Sequence, residues 1–299
     1  MPTPEARPDV PLLDARELDA LSNLSLTSLG RILEGVAGQR PGSAHAAGLE
    51  LADYRPYARG DDLRLVDWNV YARLREVFVK VAPRERHTTV DVLLDVSRSM
   101  DAGDPGRLRY ARRIAAALGA IALLHEDAAR IWAFSDGRAE PAPWFEGPRM
   151  VSRLVTEVAQ IPAGASTDLA ASARAYARAR SRSEFVVLIS DALQSVDSLD
   201  EALRRVGLQG GAVTLIHVTH DDRTSAVKRG RVELRDSETG ERVELDITGS
   251  VLASYRVRLG RFQDHVAATC ARTHARYIRA ATDVEPVDLL AGAAGLVSP

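Results

Sequence analysis

The chain has 299 residues, 45% of them hydrophobic and 27% charged, with a formal net charge of −2. That is long enough for a full buried core in one large or two unequal domains, and too balanced in charge for a global pull toward nucleic acid or acidic membrane. A single cysteine, Cys270, excludes an internal disulfide framework and fits a reducing compartment.

In chain order, residues 1 to about 13 are Pro-rich and expected to be mobile, without the basic and apolar regions of a signal peptide. Asp14 to Val36 places Leu18, Leu21, Leu24, Leu29, Ile32 and Leu33 at roughly helical spacing. The Gly/Pro/Ser-rich stretch Gly38 to Gly48 ends that pattern. Leu49 to His87 is dense in arginine, acids and aromatics, and Glu76 to Val81 alternates as a strand. Within it, Gly60-Asp61-Asp62 with Arg55, Arg64 and Asp67 reads as a tight turn held by ion pairs, and Trp68 and Tyr71 read as core.

From Thr89 onward strands and helices alternate, which argues for a doubly wound, mostly parallel α/β sheet covered on both faces. Strands are expected at Val90–Asp95, Ala129–Phe134, Phe185–Ser190, Ala212–Val218 and Ala275–Arg279. Helices are expected near 107–124, 148–160, 168–180, 251–273 and 286–290. Residues 229–247, with Val232 and Leu234 then Val243 and Leu245 around Asp236–Gly240, form a hairpin signal, an antiparallel insertion on the domain edge. The longest apolar run, Ile114 to Leu124, is about half of what a spanning helix requires. A cytoplasmic protein is expected.

The chemistry concentrates at the end of the first buried strand, in Asp95-x-Ser97-x-Ser99. One carboxylate and two hydroxyls leave the strand together, all of them hard oxygen ligands of the kind Mg²⁺ or Mn²⁺ prefers. Asp191 ends a second buried strand and Thr167 lies in a loop that opens a helix. In open parallel sheets such loops converge where the strand order reverses.

The set Asp95, Ser97, Ser99, Thr167 and Asp191 resembles the metal-ion-dependent adhesion site of von Willebrand factor A domains, in which an acidic residue of a ligand completes the coordination of Mg²⁺ or Mn²⁺. Ala192 stands where a glycine often follows the last aspartate. The upstream residues Arg55, Tyr57, Gly60, Asp61, Asp62, Arg64, Asp67, Trp68 and Arg73 resemble the hallmark of the bacterial family labelled domain of unknown function fifty-eight. Asp236-x-Glu238-Thr239-Gly240 and Thr282-Asp283 are similar to it as well. The resemblance covers roughly Leu49 to Leu290 and implies a von Willebrand factor A-like, Rossmann-type domain; with the pattern read above, the expected division is an N-terminal helix and linker over 1–48, an arginine-rich module over 49–88, and this domain over 89–299 with the hairpin insertion 229–247. It also implies a partner, a MoxR-type AAA+ ATPase or its client. Many longer relatives carry membrane helices before the motif; none is expected here, so membrane attachment is not carried over.

Two other functions compete with a metal-dependent binding adaptor that is not an enzyme. A metal-dependent hydrolase of the aspartyl-phosphate kind needs a second carboxylate two residues after its nucleophile, where Ser97 stands, and no Walker A loop, G-x-G-x-x-G or G-x-S-x-G motif occurs. A nucleic-acid binder would use the arginines between 55 and 86, which Asp61, Asp62, Asp67, Glu76 and Glu85 largely offset. Cys270 is expected to be a packing residue and not a nucleophile; His217 and His220, with Asp221 nearby, lie at a strand exit with no further ligand in sight and are not expected to hold a transition metal.

Overall fold

The computed structural model describes residues 11–24, 54–59, 62–80, 88–101, 106–164, 168–179, 183–209, 211–220, 230–235 and 242–293. Residues 37–86 form one unit, and residues 1–36 with 87–299 form the other. The N-terminal helix α1 (Ala15–Ser22) starts in a capping box, with Asp14 and Glu17 each accepting from the other's backbone amide. Leu12 and Leu13 are buried in the large core cluster, so the expected mobile start gives way by residue 12. Residues 25–36, the rest of the expected helix, lie outside the described residues.

In the smaller unit, β1 (Tyr54–Pro56) pairs antiparallel with β2 (Phe78–Lys80), Arg55 opposite Val79. Between them runs α2 (Trp68–Leu74), whose first amides bond the side chain of Asp67. Asp62 accepts from the Arg64 amide and pairs with its guanidinium at 2.8 Å. Val66, Val70 and Val79 are buried, whereas Trp68 and Tyr71 are 62% and 36% exposed. The expectation that both aromatics are core is therefore wrong. On a helix this short, Val70 takes the inward position and the aromatics flank it.

The larger unit is the expected doubly wound, mostly parallel α/β fold. Its elements are β3 (Thr89–Asp95), α3 (Arg98–Asp101), α4 (Arg107–Leu124), β4 (Ala128–Ser135), β5 (Arg138–Pro141), β6 (Phe145–Glu146), α5 (Val151–Gln160), α6 (Leu169–Arg178) and β7 (Phe185–Ser190). They continue with α7 (Val196–Gly207), β8 (Ala212–Thr219), β9 (Gly230–Arg235), β10 (Arg242–Ile247), α8 (Gly249–Arg272), β11 (Arg276–Ala281) and α9 (Pro286–Ala293). The sheet runs β11-β8-β7-β3-β4 in parallel, and β5 and β6 pair antiparallel with the outer edge of β4.

The continuous apolar run of β3 follows from burial on both faces. Val90, Val92 and Leu94 point into a cluster with α1, α4, α5 and α9; Leu93 points into the opposite cluster with α6, α7 and α8. Sequence reading missed α7, although Ser195 caps it and Leu199, Ala202, Leu203 and Val206 are buried at helical spacing. It also missed β5 and β6, which are too short to show alternation. The hairpin forms with Val232 opposite Leu245 and Leu234 opposite Val243, but as a two-stranded sheet separate from the central one. Among the described residues no helix is long and apolar enough to cross a membrane.

Candidate metal centre

The strand order reverses beside β3: the chain adds β4 on one side of it and then crosses to β7 on the other. The loops leaving β3 and β7 therefore part at one point on the carboxyl edge, where α/β sheets leave a crevice for ligands. Asp95 is the last residue of β3, and Asp191 directly follows β7. Asp95, Ser97, Ser99 and Asp191 are all buried there.

Each Asp95 oxygen has its own donor. Oδ1 accepts from the Ser97 amide at 3.0 Å, and Oδ2 accepts from the Ser190 hydroxyl at 2.6 Å. The Ser97 and Ser99 hydroxyls meet at 3.0 Å. Asp191 Oδ1 accepts from the Leu193 amide at 3.3 Å, while its Oδ2 accepts from the Arg107 guanidinium at 3.2 Å. A groove of about 570 Å³ opens beside Ser99, lined also by Asp168, Arg174, Leu193, Gln194 and Asp197.

Burial pushes the Asp95 carboxyl up to about 6, with the neighbouring charge of Asp191 adding to the shift and the Ser190 and Ser97 donors opposing it. Burial raises Asp191 too, and Arg107 is the strongest influence in the other direction. Two carboxylates thus share a buried site with hydroxyls around them. An oxygen-only donor set of this kind fits a small hard cation and offers nothing to a soft one. Among the described residues no cluster of three His, Cys, Asp or Glu side chains forms.

Four of the five expected ligands, Asp95, Ser97, Ser99 and Asp191, come together. Thr167 lies outside the described residues. On either side of it, the Gly164 amide donates to Val96 O at 2.6 Å, and the Leu169 amide donates to Gln194 Oε1 at 3.0 Å. Gly164 passes so close to Ser135 that an added Cβ would lie 2.4 Å from the serine's Cβ. Of the upstream motif, Tyr57, Asp62, Arg64, Asp67, Trp68 and Arg73 belong to the smaller unit, where Asp62 and Asp67 act as caps. Gly60, Asp61 and the side chain of Arg55 lie outside the described residues.

Two residues of the site escaped sequence reading, as did the role of a third, His217. Ser190 was taken only as the end of a strand, and Arg107 only as the start of a helix. His217 sits inside β8, buried, with Nε2 3.0 Å from the Asp191 carbonyl and Nδ1 2.9 Å from the Tyr277 hydroxyl. Burial lowers it to about 4, so the imidazole is neutral at ordinary pH and holds the loop after β7 in place. Ala192 adopts φ 52°, which accounts for a glycine being at home there. Cys270 is buried and pushed up to about 12, a packing residue as expected.

The chain is 27% identical over 276 residues to an uncharacterized protein of Mycobacterium tuberculosis strain H37Rv, covering 90% of this chain and 86% of that protein. An uncharacterized protein of Mycobacterium bovis matches to the same extent. Among solved structures, a conserved hypothetical protein BatB from Bacteroides thetaiotaomicron aligns at 15% identity and TM-score 0.42, covering 70% of this chain and 99% of that one. An aerotolerance-related membrane protein from Bacteroides fragilis aligns at 16% identity and TM-score 0.43, covering 70% and 100%. A von Willebrand factor type A protein from Catenulispora acidiphila aligns at 11% identity and TM-score 0.38, covering 73% and 43%. The family model described as protein of unknown function DUF58 matches residues 53–265, and the chain belongs to that family.

Proposed function

We propose that this chain is a metal-dependent protein-binding adaptor. Asp95, Ser97, Ser99, Thr167 and Asp191 hold Mg²⁺ or Mn²⁺, and an acidic side chain of a protein partner supplies a further ligand. The partner implied by the family resemblance is a MoxR-type AAA+ ATPase or its client.

The observation that carries this reading is the state of Asp95: wholly buried, beside a second buried carboxylate, and pushed up to about 6. Asp191 has the Arg107 guanidinium at 3.2 Å, whereas Asp95 is held by the Ser97 amide and the Ser190 hydroxyl, and a buried carboxylate of that kind is costly to ionise unless a further cation joins the site. A hard divalent cation, when bound, supplies that charge and attracts one more anionic oxygen. The groove beside Ser99 gives a partner segment room to bring it. Binding rather than catalysis is favoured because Ser97 stands where a hydrolase of the aspartyl-phosphate kind needs its second carboxylate, and because Cys270 is inert and buried.

The test is association of the purified chain with a purified MoxR-type ATPase from the same organism, in Mg²⁺ and in EDTA. Binding in Mg²⁺ that is lost in EDTA and lost on Asp95→Ala is expected. Equal binding under both conditions removes the metal from the mechanism.

A further inference from the structure

Among the described residues, Arg107 is a cation bonded directly to the site. It is the first residue of α4, and its guanidinium lies 3.2 Å from Asp191 Oδ2, the Asp191 oxygen that the Leu193 amide does not hold. Its side chain is 22% exposed, against 4% for that of Asp191, so the charge enters the site from the solvent side.

Resting on the metal-site reading above, we propose that Arg107 is an exchangeable internal cation. It neutralises Asp191 while the site is free of metal, and it competes with the divalent cation for the same carboxylate. Two cations attracted to one buried acid repel each other at short range, so the metal enters with Arg107 withdrawing toward solvent.

The experiment is calorimetric titration of Mg²⁺ into the wild type, Arg107→Gln and Arg107→Lys, with thermal unfolding of each measured free of metal. Arg107→Gln is expected to bind Mg²⁺ roughly tenfold more tightly and to melt at a lower temperature without metal. Arg107→Lys, which keeps the charge, is expected to stay near the wild-type affinity. Tight binding by the wild type with unchanged or weaker affinity in Arg107→Gln overturns this inference and leaves the metal site standing. Absence of binding in all three proteins overturns both.

Discussion

The Ser190 hydroxyl donates to Asp95 Oδ2 at 2.6 Å and itself accepts from the Ala192 amide at 3.0 Å. One small side chain thus ties the end of β3 to the loop that carries Asp191. Ser190→Ala leaves a buried carboxylate oxygen without its donor, at a cost of about 1–3 kcal/mol. It also moves Asp95 further up, since Ser190 is the leading influence holding it down. Urea unfolding of the variant measures the first effect, and the pH dependence of its stability the second; an unchanged profile in both would show the bond to be idle.

Asp95 and His217 pull the pH dependence of the metal-free protein in opposite directions. Asp95 is raised to about 6 in the fold, so its contribution is complete below pH about 4 and is lost as pH rises through 6. His217 is lowered to about 4, so its contribution is complete above pH about 6.5 and is lost as pH falls toward 4. Each amounts to roughly 3 kcal/mol. The wild type is expected to show a shallow profile between pH 4 and 6.5. Asp95→Asn removes one arm, leaving the raised Asp191 against His217, and its stability is expected to fall more on acidification over that range than that of the wild type. Thermal unfolding across the range decides it, and a flat profile for Asp95→Asn would contradict the assignment.

At Ala192 the left-handed backbone, φ 52°, sets which side chains fit. A β-branched residue there is strained, and the site is closed, with Ala192 1% exposed. Ala192→Val is expected to cost about 2 kcal/mol or more, whereas Ala192→Gly changes stability by less than about 1 kcal/mol, relief of strain offsetting lost backbone entropy. Chemical denaturation of both variants checks the order; equal losses would contradict it.

In the smaller unit, Asp67 bonds the first amides of α2, and Asp67→Ala is expected to cost about 1 kcal/mol. Trp68, exposed as it is, is expected to tolerate alanine within about 0.5 kcal/mol. The reverse order in a melting series would place Trp68 in the core after all.

The fold was legible because burial on both faces of the sheet writes short apolar runs into the sequence, as at Val90–Asp95 and Phe185–Ser190, and because α4 carries a long uninterrupted apolar stripe. Asp95, Ser97, Ser99 and Asp191 were legible for the same reason: they interrupt those runs where the strands end. Ser190, Arg107 and His217 were not, because each acts through a partner far along the chain. The Arg107–Asp191 pair spans 84 positions and the Ser190–Asp95 bond spans 95, and no local pattern marks either. Trp68 was misread because helical spacing tells which residues share a face, not which face is covered.

The most direct measurement is calorimetric titration of Mn²⁺ and Mg²⁺ into the wild type and Asp95→Asn, with circular dichroism confirming that both are folded. Saturable binding by the wild type, absent from Asp95→Asn and weakening as the pH is lowered below about 6, is the result expected from a buried carboxylate that must ionise to receive the metal. Saturable binding of equal strength in both proteins, or in neither, would contradict a metal centre built on Asp95.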